Sequence, residues 1–292
     1  IIAGVGGPLQ GIARETGFDI TAACEVMAVF CLARDLDDLR TRLGRMLVGY
    51  NSGGGPVFAS DLKAEGAMTA LLRDAFRPNL VQTLEGSPAF IHGGPFANIA
   101  HGTNSIAATR MALGLADWVV TEMGFASDLG AEKFFDIVVR TGHVPPPAAV
   151  VIVATIRSLK YHGGVKFDAL GAENLAALET GFENVRRHIG IVKTFGVPLV
   201  VALNKFPTDS AAELAAFDRL CRAENVRFAL SDVYGKGGEG GLELAREVLA
   251  AADNDPSRFE LLYPPEMPLL AKIQTIARRI YGAGAVVMEN KF

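Results

Sequence analysis

Three short aliphatic runs constrain this chain more than any other feature: Val150 to Thr155 (VVIVAT), Pro198 to Leu203 (PLVVAL) and Val226 to Leu230 (VRFAL). Each is rich in Val and Leu and short, the pattern of a strand covered on both faces in a parallel sheet. Helical patterns separate them: residues 173–195 and 211–224 carry apolar side chains at three- and four-residue steps, and Thr208-Asp209-Ser210 offers an N-cap ahead of Ala211. Upstream, Phe90-Ile91 and Asp117 to Thr121 (DWVVT) are expected to add two strands, with a helix over 104–115 between them. Strand, helix, strand, helix implies right-handed crossovers and an α/β, doubly wound, mostly parallel sheet.

Composition excludes several function classes. The 292 residues are half hydrophobic with 32 glycines, which is globular and not disordered. A net charge of −4 with no long run of one sign argues against nucleic acid, whose backbone needs a clustered basic face. Cys24, Cys31 and Cys221 form no CxxC pair, so neither a disulfide framework nor a zinc site is expected, and a reducing cytoplasm fits. No apolar run approaches the roughly 20 residues of a membrane span. The chain opens on the apolar run Ile1 to Gly7 without a methionine and closes at Glu289 to Phe292 without a polar tail, so both ends are expected to be cuts through a larger protein.

In an open parallel sheet, ligands bind beyond the carboxyl ends of the strands. Those ends lead here into Asn204-Lys205-Phe206-Pro207-Thr208-Asp209, into Arg157-Ser158-Leu159-Lys160-Tyr161-His162, into Glu122 to Asp128, and into Ser231 to Gly241 with its Gly237 to Gly241 cluster. Glycines, cations, carboxylates and aromatics are thus delivered to one rim. Each piece also has an ordinary reading. The glycine cluster is as easily a plain turn into the helix from Leu242, although Lys236 and that helix dipole would favour an anion. Asn204-Lys205 resembles the base-reading element of nucleotide switches or is a simple strand-to-helix turn. His101 and His162 sit in glycine-flanked loops and serve either in proton transfer or as hydrogen-bonding loop residues, while His92, His143 and His188 have less to recommend them. Asp232 and Glu239 are either magnesium ligands or solvated carboxylates. Phe206 and Tyr234 fall at the rim, where an aromatic without a partner would be unusual.

The same residues carry a family resemblance. Phe90 to Ser105 (FIHGGPFANIAHGTNS), Val153 to Gly164 (VATIRSLKYHGG) and Asn204 to Asp209 (NKFPTD) resemble the bacterial-type formate–tetrahydrofolate ligases. Gly17 to Thr21 (GFDIT), Gly66 to Leu72, Phe76 to Glu85, Asp128 to Asp136 (DLGAEKFFD) and Lys236 to Gly241 (KGGEGG) follow in the family's order.

The resemblance implies an ATP-dependent ligation in which formate becomes formyl phosphate and N10 of tetrahydrofolate then takes the formyl group. ATP, Mg2+ and a monovalent cation are the implied companions, and formate and tetrahydrofolate the other substrates. A cytoplasmic homo-oligomer, in the form of a tetramer, is implied as well, with no nucleic acid or membrane partner. By matching motifs, Phe206, Pro207 and Tyr234 are expected to clamp the pterin, with Tyr234 standing where the family usually carries tryptophan. Ala97, Asn98, Phe125 and Asp128 are expected in the nucleotide and substrate pocket, joined by Asn204, Lys205, Asp209, Gly237 and Gly238; Lys205 stands where arginine is also common. His101, Arg157, Lys160 and His162 are the catalytic candidates, and no metal ligand is expected. The implied fold is a sheet of the P-loop NTPase type with an incomplete N-terminal part: residues 1–88 remain from the nucleotide-binding region, and 89–292 form the core sheet with the folate and substrate rim. No GxxxxGK[ST] loop occurs from Ile1 to Phe292, so the expectation is a central portion that is inactive alone. The alternative is a non-catalytic folate- or nucleotide-binding module, or an assembly subunit, that has lost its P-loop.

Overall fold

The structure, a computed structural model, describes residues 2–7, 11–17, 20–98 and 100–288. Ile1, Glu289 to Phe292, Phe18 and Asp19 of the 17–21 motif, and Ile99 of the 90–105 motif lie outside the described residues. The chain divides into two compact units, Ile1–Val81 with Ala89–Glu122, and Gln82–Pro88 with Met123–Phe292.

The first unit is built from short elements: β1 (Ile2–Ala3), β2 (Arg14–Glu15), α1 (Glu25–Leu32), α2 (Leu36–Gly44), β3 (Leu47–Tyr50), β4 (Pro56–Phe58), α3 (Glu65–Leu72), β5 (Asn79–Gln82), β6 (Pro88–Ile91) and α4 (Ile106–Leu115). Among the described residues its strands pair only two by two, β1 with β2, β3 with β4 and β5 with β6. Phe30, Cys31, Ala33, Leu39 and Leu43 form its core, with Phe76 packed against them. His92 is buried in this unit as a neutral group. Its Nε2 donates to the Ala75 carbonyl at 2.9 Å, so Nδ1 accepts from the Ser105 hydroxyl at 2.5 Å. The same Ser105 oxygen accepts the Ala108 amide and caps α4.

The second unit holds β7 (Val150–Ala154), α5 (Ile156–His162), α6 (Leu175–Thr194), β8 (Leu199–Asn204), α7 (Ala211–Ala223), β9 (Arg227–Ser231), α8 (Val233–Lys236), α9 (Leu242–Asn254) and α10 (Leu269–Arg279). The sheet is parallel throughout in the order β7-β8-β9, with Val150 opposite Leu199 and Val200 opposite Arg227. Paired residues of a parallel ladder share a face. One face carries Val200 and Ala229 against Ala251 and Leu244 of α9. The other carries Phe228 against Phe217 of α7, whose ring packs in turn on Phe182 of α6. Helices therefore cover both faces, which is why the central strand β8 is buried along most of its length. Arg227 ties β9 to α9 with two 2.8 Å bonds to Asp255. Glycine permits α5 to lie directly on α6: a Cβ at Gly181 would fall 1.8 Å from the Leu159 carbonyl oxygen, and one at Gly163 would fall 1.9 Å from that of Ala177.

Two expectations are corrected. Residues 117–121 form no strand; they run unpaired among the described residues, with Val120 96% exposed, whereas a doubly covered strand needs apolar contact on both faces. Phe90 and Ile91 do lie in a strand, but β6 pairs with β5 and not with the parallel sheet. The parallel sheet is therefore three strands in serial order, without a reversal of strand order among the described residues. The carboxyl ends of three strands, not four, form the rim.

Candidate functional site

The rim begins where β8 ends. Asn204 is its last residue, and the chain then turns sharply: the Phe206 amide donates to Asp209 Oδ2 at 2.8 Å, and the Asp209 amide returns to the Phe206 carbonyl at 3.0 Å. This closed turn pushes Phe206 and Pro207 outward to exposed positions. Ser210 then starts α7 with a capping box, its hydroxyl accepting the Glu213 amide while Glu213 accepts the Ser210 amide. The other Asp209 oxygen, Oδ1, is buried without a hydrogen bond. Burial pushes the Asp209 carboxyl above its ordinary range; the Phe206 amide pulls it back, and the Glu213 charge adds to the rise.

Next to it, β7 ends at Ala154 and Thr155 caps α5, its hydroxyl accepting the Ser158 amide at 3.1 Å. That places Arg157 in the first turn of α5, where its guanidinium carbon lies 5.7 Å from the centroid of the Phe206 ring. Arg157, Ser158, Tyr161, Phe167, Leu170 and Phe206 line an open cleft of about 600 Å³.

The third strand end supplies Asp232. Lys205 Nζ lies 3.5 Å and Lys236 Nζ 3.4 Å from Asp232 Oδ2, so one carboxylate joins the loops after β8 and β9 and holds two ammonium groups. Tyr234 in α8 is 92% exposed. After α8 the chain passes through a tight 3-10 turn, Gly237–Gly241, into α9. The Gly238 amide donates to Glu85 Oε1 at 2.7 Å, from the segment joining β5 and β6. A backbone amide of the glycine cluster thus holds an anion supplied by the chain itself. The ordinary reading of this cluster as a turn and the anion-binding reading both describe part of what is seen.

Lys160 is not on the rim. Its side chain is 0% exposed, and its ammonium lies 2.9 Å from Glu213 Oε1 and donates to the Ala172 carbonyl at 2.9 Å. Lys160 shares the buried face of α5 with Ile156 and Leu159. Glu213 also accepts the amides of Asn174 and Ser210, the N-cap residues of α6 and α7. Burial pushes the Glu213 carboxyl up, but Lys160 and these amides outweigh it and leave it below its ordinary range.

His162 is exposed in the last turn of α5, about 8 Å of helix rise from Arg157. Its charge acts on a second polar group in this unit, formed around His188. Ser127 Oγ and His188 Nδ1 meet at 2.6 Å, and Tyr281 donates to the Asp128 carbonyl at 3.2 Å. Burial pushes His188 below the usual imidazole range; Asp128 opposes the shift, and His162 and Arg187 reinforce it. The segment leading in is strained. Phe125 and Ala126 both have φ of 62°, and Ala126 has ψ of −175°, a conformation that glycine occupies almost alone. The π-helical turn Ser127–Ala131 follows directly.

Ala97, Asn98 and His101 belong to the first unit. His101 and Ala97 are buried there, with His101 Nε2 donating to the Ala28 carbonyl at 3.2 Å, while Asn98 is exposed. The rim of the second unit therefore brings together Arg157, Asn204, Lys205, Phe206, Pro207 and Asp209, with Tyr234, Gly237 and Gly238 on the neighbouring loop. Asp128 and His162 gather separately around His188.

Several residues at these sites escaped sequence reasoning. Tyr161 and Phe167 line the cleft, Glu85 reaches Gly238, and Glu213 joins three helices. Tyr161 and Glu85 fall inside the quoted motifs without being singled out, and Glu213 left the Ser-x-x-Glu spacing of Ser210 and Glu213 that marks a capping box. Among the described residues, no helix is long and apolar enough to cross a membrane, and no group of three or more His, Cys, Asp or Glu side chains is placed to hold a metal ion. A comparison with protein-family models matches residues 1–292 to the family described as formate–tetrahydrofolate ligase.

Proposed function

The chain belongs to the formate–tetrahydrofolate ligase family, whose members act on formate, ATP and tetrahydrofolate, and from that premise we propose that the rim of its parallel sheet is the folate end of such a ligase. The observation that supports this best is the placing of Phe206 and Tyr234, two exposed aromatics on loops from adjacent strands, beside the Lys205–Asp232 pair that joins those loops. A flat pterin between the two rings gains stacking of roughly 0.5–1.5 kcal/mol per ring beyond its area burial. Pro207, packed after Phe206, stiffens the same wall by fixing its own backbone angle.

In the proposed reaction a formate oxygen attacks the γ-phosphorus of ATP and ADP leaves. The N10 lone pair of tetrahydrofolate then attacks the formyl carbon, phosphate leaves, and N10 loses its proton. Positioning and charge neutralisation supply most of the acceleration in the first step. Arg157 and Lys205 are the rim cations near Phe206 and fit anionic groups there. The amides of Gly237 and Gly238 fit a further anion, which would compete with Glu85. His162 and Asp128, gathered at His188, and Ala97, Asn98, His101 and Phe125 are assigned to substrate and nucleotide contacts. Lys160, held by Glu213, acts on the rim by positioning α5. The described residues offer no cation cage, so Mg2+ and a monovalent cation enter this reading only as companions of the nucleotide, and no step is assigned to them. A P-loop type for the sheet, a cytoplasmic setting and a homo-oligomer complete the proposal. Cys31 and Cys221 are buried free thiols, pushed by that burial to about 11 and about 12.

The test is binding and turnover measured on the same protein. Tetrahydrofolate should bind the 292-residue chain, and Phe206→Ala should weaken that binding about tenfold, the factor that 1.4 kcal/mol represents. Without a GxxxxGK[ST] loop in its sequence, the chain should not form formyltetrahydrofolate from ATP, formate and tetrahydrofolate. Turnover within about tenfold of an ordinary 10 per second would refute that expectation. The reading as a non-catalytic folate-binding module shares the missing loop as its support. It is favoured if folate binds but the chain remains inactive after a P-loop is supplied.

A further inference from the structure

The cleft beside Phe206 is built for more than packing. Single exposed aromatics are common on protein surfaces, but this cleft gathers three: Tyr161 at 57%, Phe167 at 75% and Phe206 at 38% exposure. Buried Leu170 supplies its floor. Its one cation is Arg157, whose guanidinium makes no hydrogen bond or ion pair among the described residues; it lies over the Phe206 ring, and against the rise that burial causes its charge draws the Asp209 carboxyl downward. At about 600 Å³ the cleft is in the range of small-ligand sites. Exposed rings around an unpaired guanidinium match a ligand with an aryl group and a carboxylate.

Phe206 is shared between this cleft and the proposed pterin wall. A pterin stacked on Phe206 must send its substituent either into water or along α5, where the rings stand. We propose that the cleft is the subsite for the p-aminobenzoylglutamate half of the folate, with Tyr161 and Phe167 against the benzoyl ring and Arg157 meeting a glutamate carboxylate. This rests on the reading of the rim as the folate site. N10 lies between the two halves of the ligand, so holding both fixes the reacting nitrogen in a way that neither contact does alone. The cleft then distinguishes folates from tailless pterins.

The experiment uses the whole chain and three probes in calorimetry: tetrahydrofolate, 6-methyltetrahydropterin, which lacks the tail, and p-aminobenzoylglutamate, which lacks the pterin. Tyr161→Ala, Phe167→Ala and Arg157→Gln are compared with the unaltered protein after circular dichroism shows the same fold. Each should weaken tetrahydrofolate and p-aminobenzoylglutamate by about tenfold, the size of a lost stacking or charge-assisted contact. Binding of 6-methyltetrahydropterin should be unchanged, and Arg157→Lys should recover part of the loss. Tetrahydrofolate bound equally by all three variants and the parent overturns the subsite but leaves the folate rim standing, as does equal weakening of the tailless pterin. A parent chain that binds none of the three probes overturns both.

Discussion

Replacing Lys160 with methionine separates a structural role from a chemical one. The ammonium and the Glu213 carboxylate are both fully buried and 2.9 Å apart. Removing one partner of such a pair leaves a buried charge and typically costs about 3–5 kcal/mol. Here Glu213 keeps the Asn174 and Ser210 amides, which softens the loss, while the Ala172 carbonyl loses its donor. A loss near the low end, about 3 kcal/mol, is expected in urea unfolding followed by circular dichroism. Two further signatures check the cause. In Lys160→Met the Glu213 carboxyl should rise above its unfolded value, so the variant should lose stability as pH rises through that window and recover it on acidification. Lys160→Met with Glu213→Gln should be more stable than Lys160→Met alone by about 1 kcal/mol, because removing the naked charge outweighs the loss of one acceptor: the single Gln oxygen keeps only one of the two amides that Oε1 and Oε2 of Glu213 accept. A loss below about 1 kcal/mol in Lys160→Met, or a double variant that is worse than the single one, would refute the reasoning. Loss of tetrahydrofolate binding in such a variant then reports on the placing of α5 and not on a ligand contact from Lys160.

Ala126→Gly should stabilise the protein by about 1–3 kcal/mol by relieving the backbone at φ 62° and ψ −175°, and a lower melting temperature would contradict it. Burial, reinforced by the Asp136 charge and opposed by Lys133 and Arg140, pushes the Glu132 carboxyl up to about 7. The folded state therefore holds a proton that the unfolded chain releases near its ordinary carboxylate value, and stability should fall as pH rises between the two. Glu132→Gln should flatten that dependence and gain about 2–3 kcal/mol above pH 7, read from unfolding midpoints across pH. Tyr234→Trp should tighten tetrahydrofolate about threefold through a larger stacking surface and leave ATP unaffected; equal changes for both would argue against a clamp. Light scattering at micromolar concentration should show one discrete oligomer, and a clean monomer would count against the homo-oligomer.

The strands of the parallel sheet were legible because their aliphatic runs admit little else: a segment such as PLVVAL can satisfy its side chains only when covered on both faces. Asp117 to Thr121 looked the same locally, yet pairing depends on a partner strand, and nothing within DWVVT encodes whether one is present. The rim loops were legible from their position after strands. The cleft was not, because Tyr161 and Phe167 flank Gly163-Gly164, and their shared exposure arises only once α5 lies on α6 through Gly163 and Gly181. Lys160 was misplaced for a related reason. Its motif marks it as special, but its partner Glu213 lies in α7, and the amide of Asn174 that shares that carboxylate is far away in sequence.

The serial order of the sheet has a kinetic consequence. Each parallel pairing joins strands that are neighbours in sequence, so every docking step closes the shortest loop a crossover permits. The β8–α7–β9 crossover carries one helix and should close first, with α9 sealing one face through Ala251. The β7–β8 crossover carries two helices and closes later. Arg157, Tyr161 and Phe167 all precede β8, so a chain emerging from the ribosome delivers the wall of the cleft before the strand that supports it. Until β8 arrives, β7 has no partner strand, whereas Tyr161 and Phe167 remain exposed even in the folded protein. Closure of β7 on β8, the later of the two pairings, ends the interval in which the aliphatic edge of β7 is open to another chain.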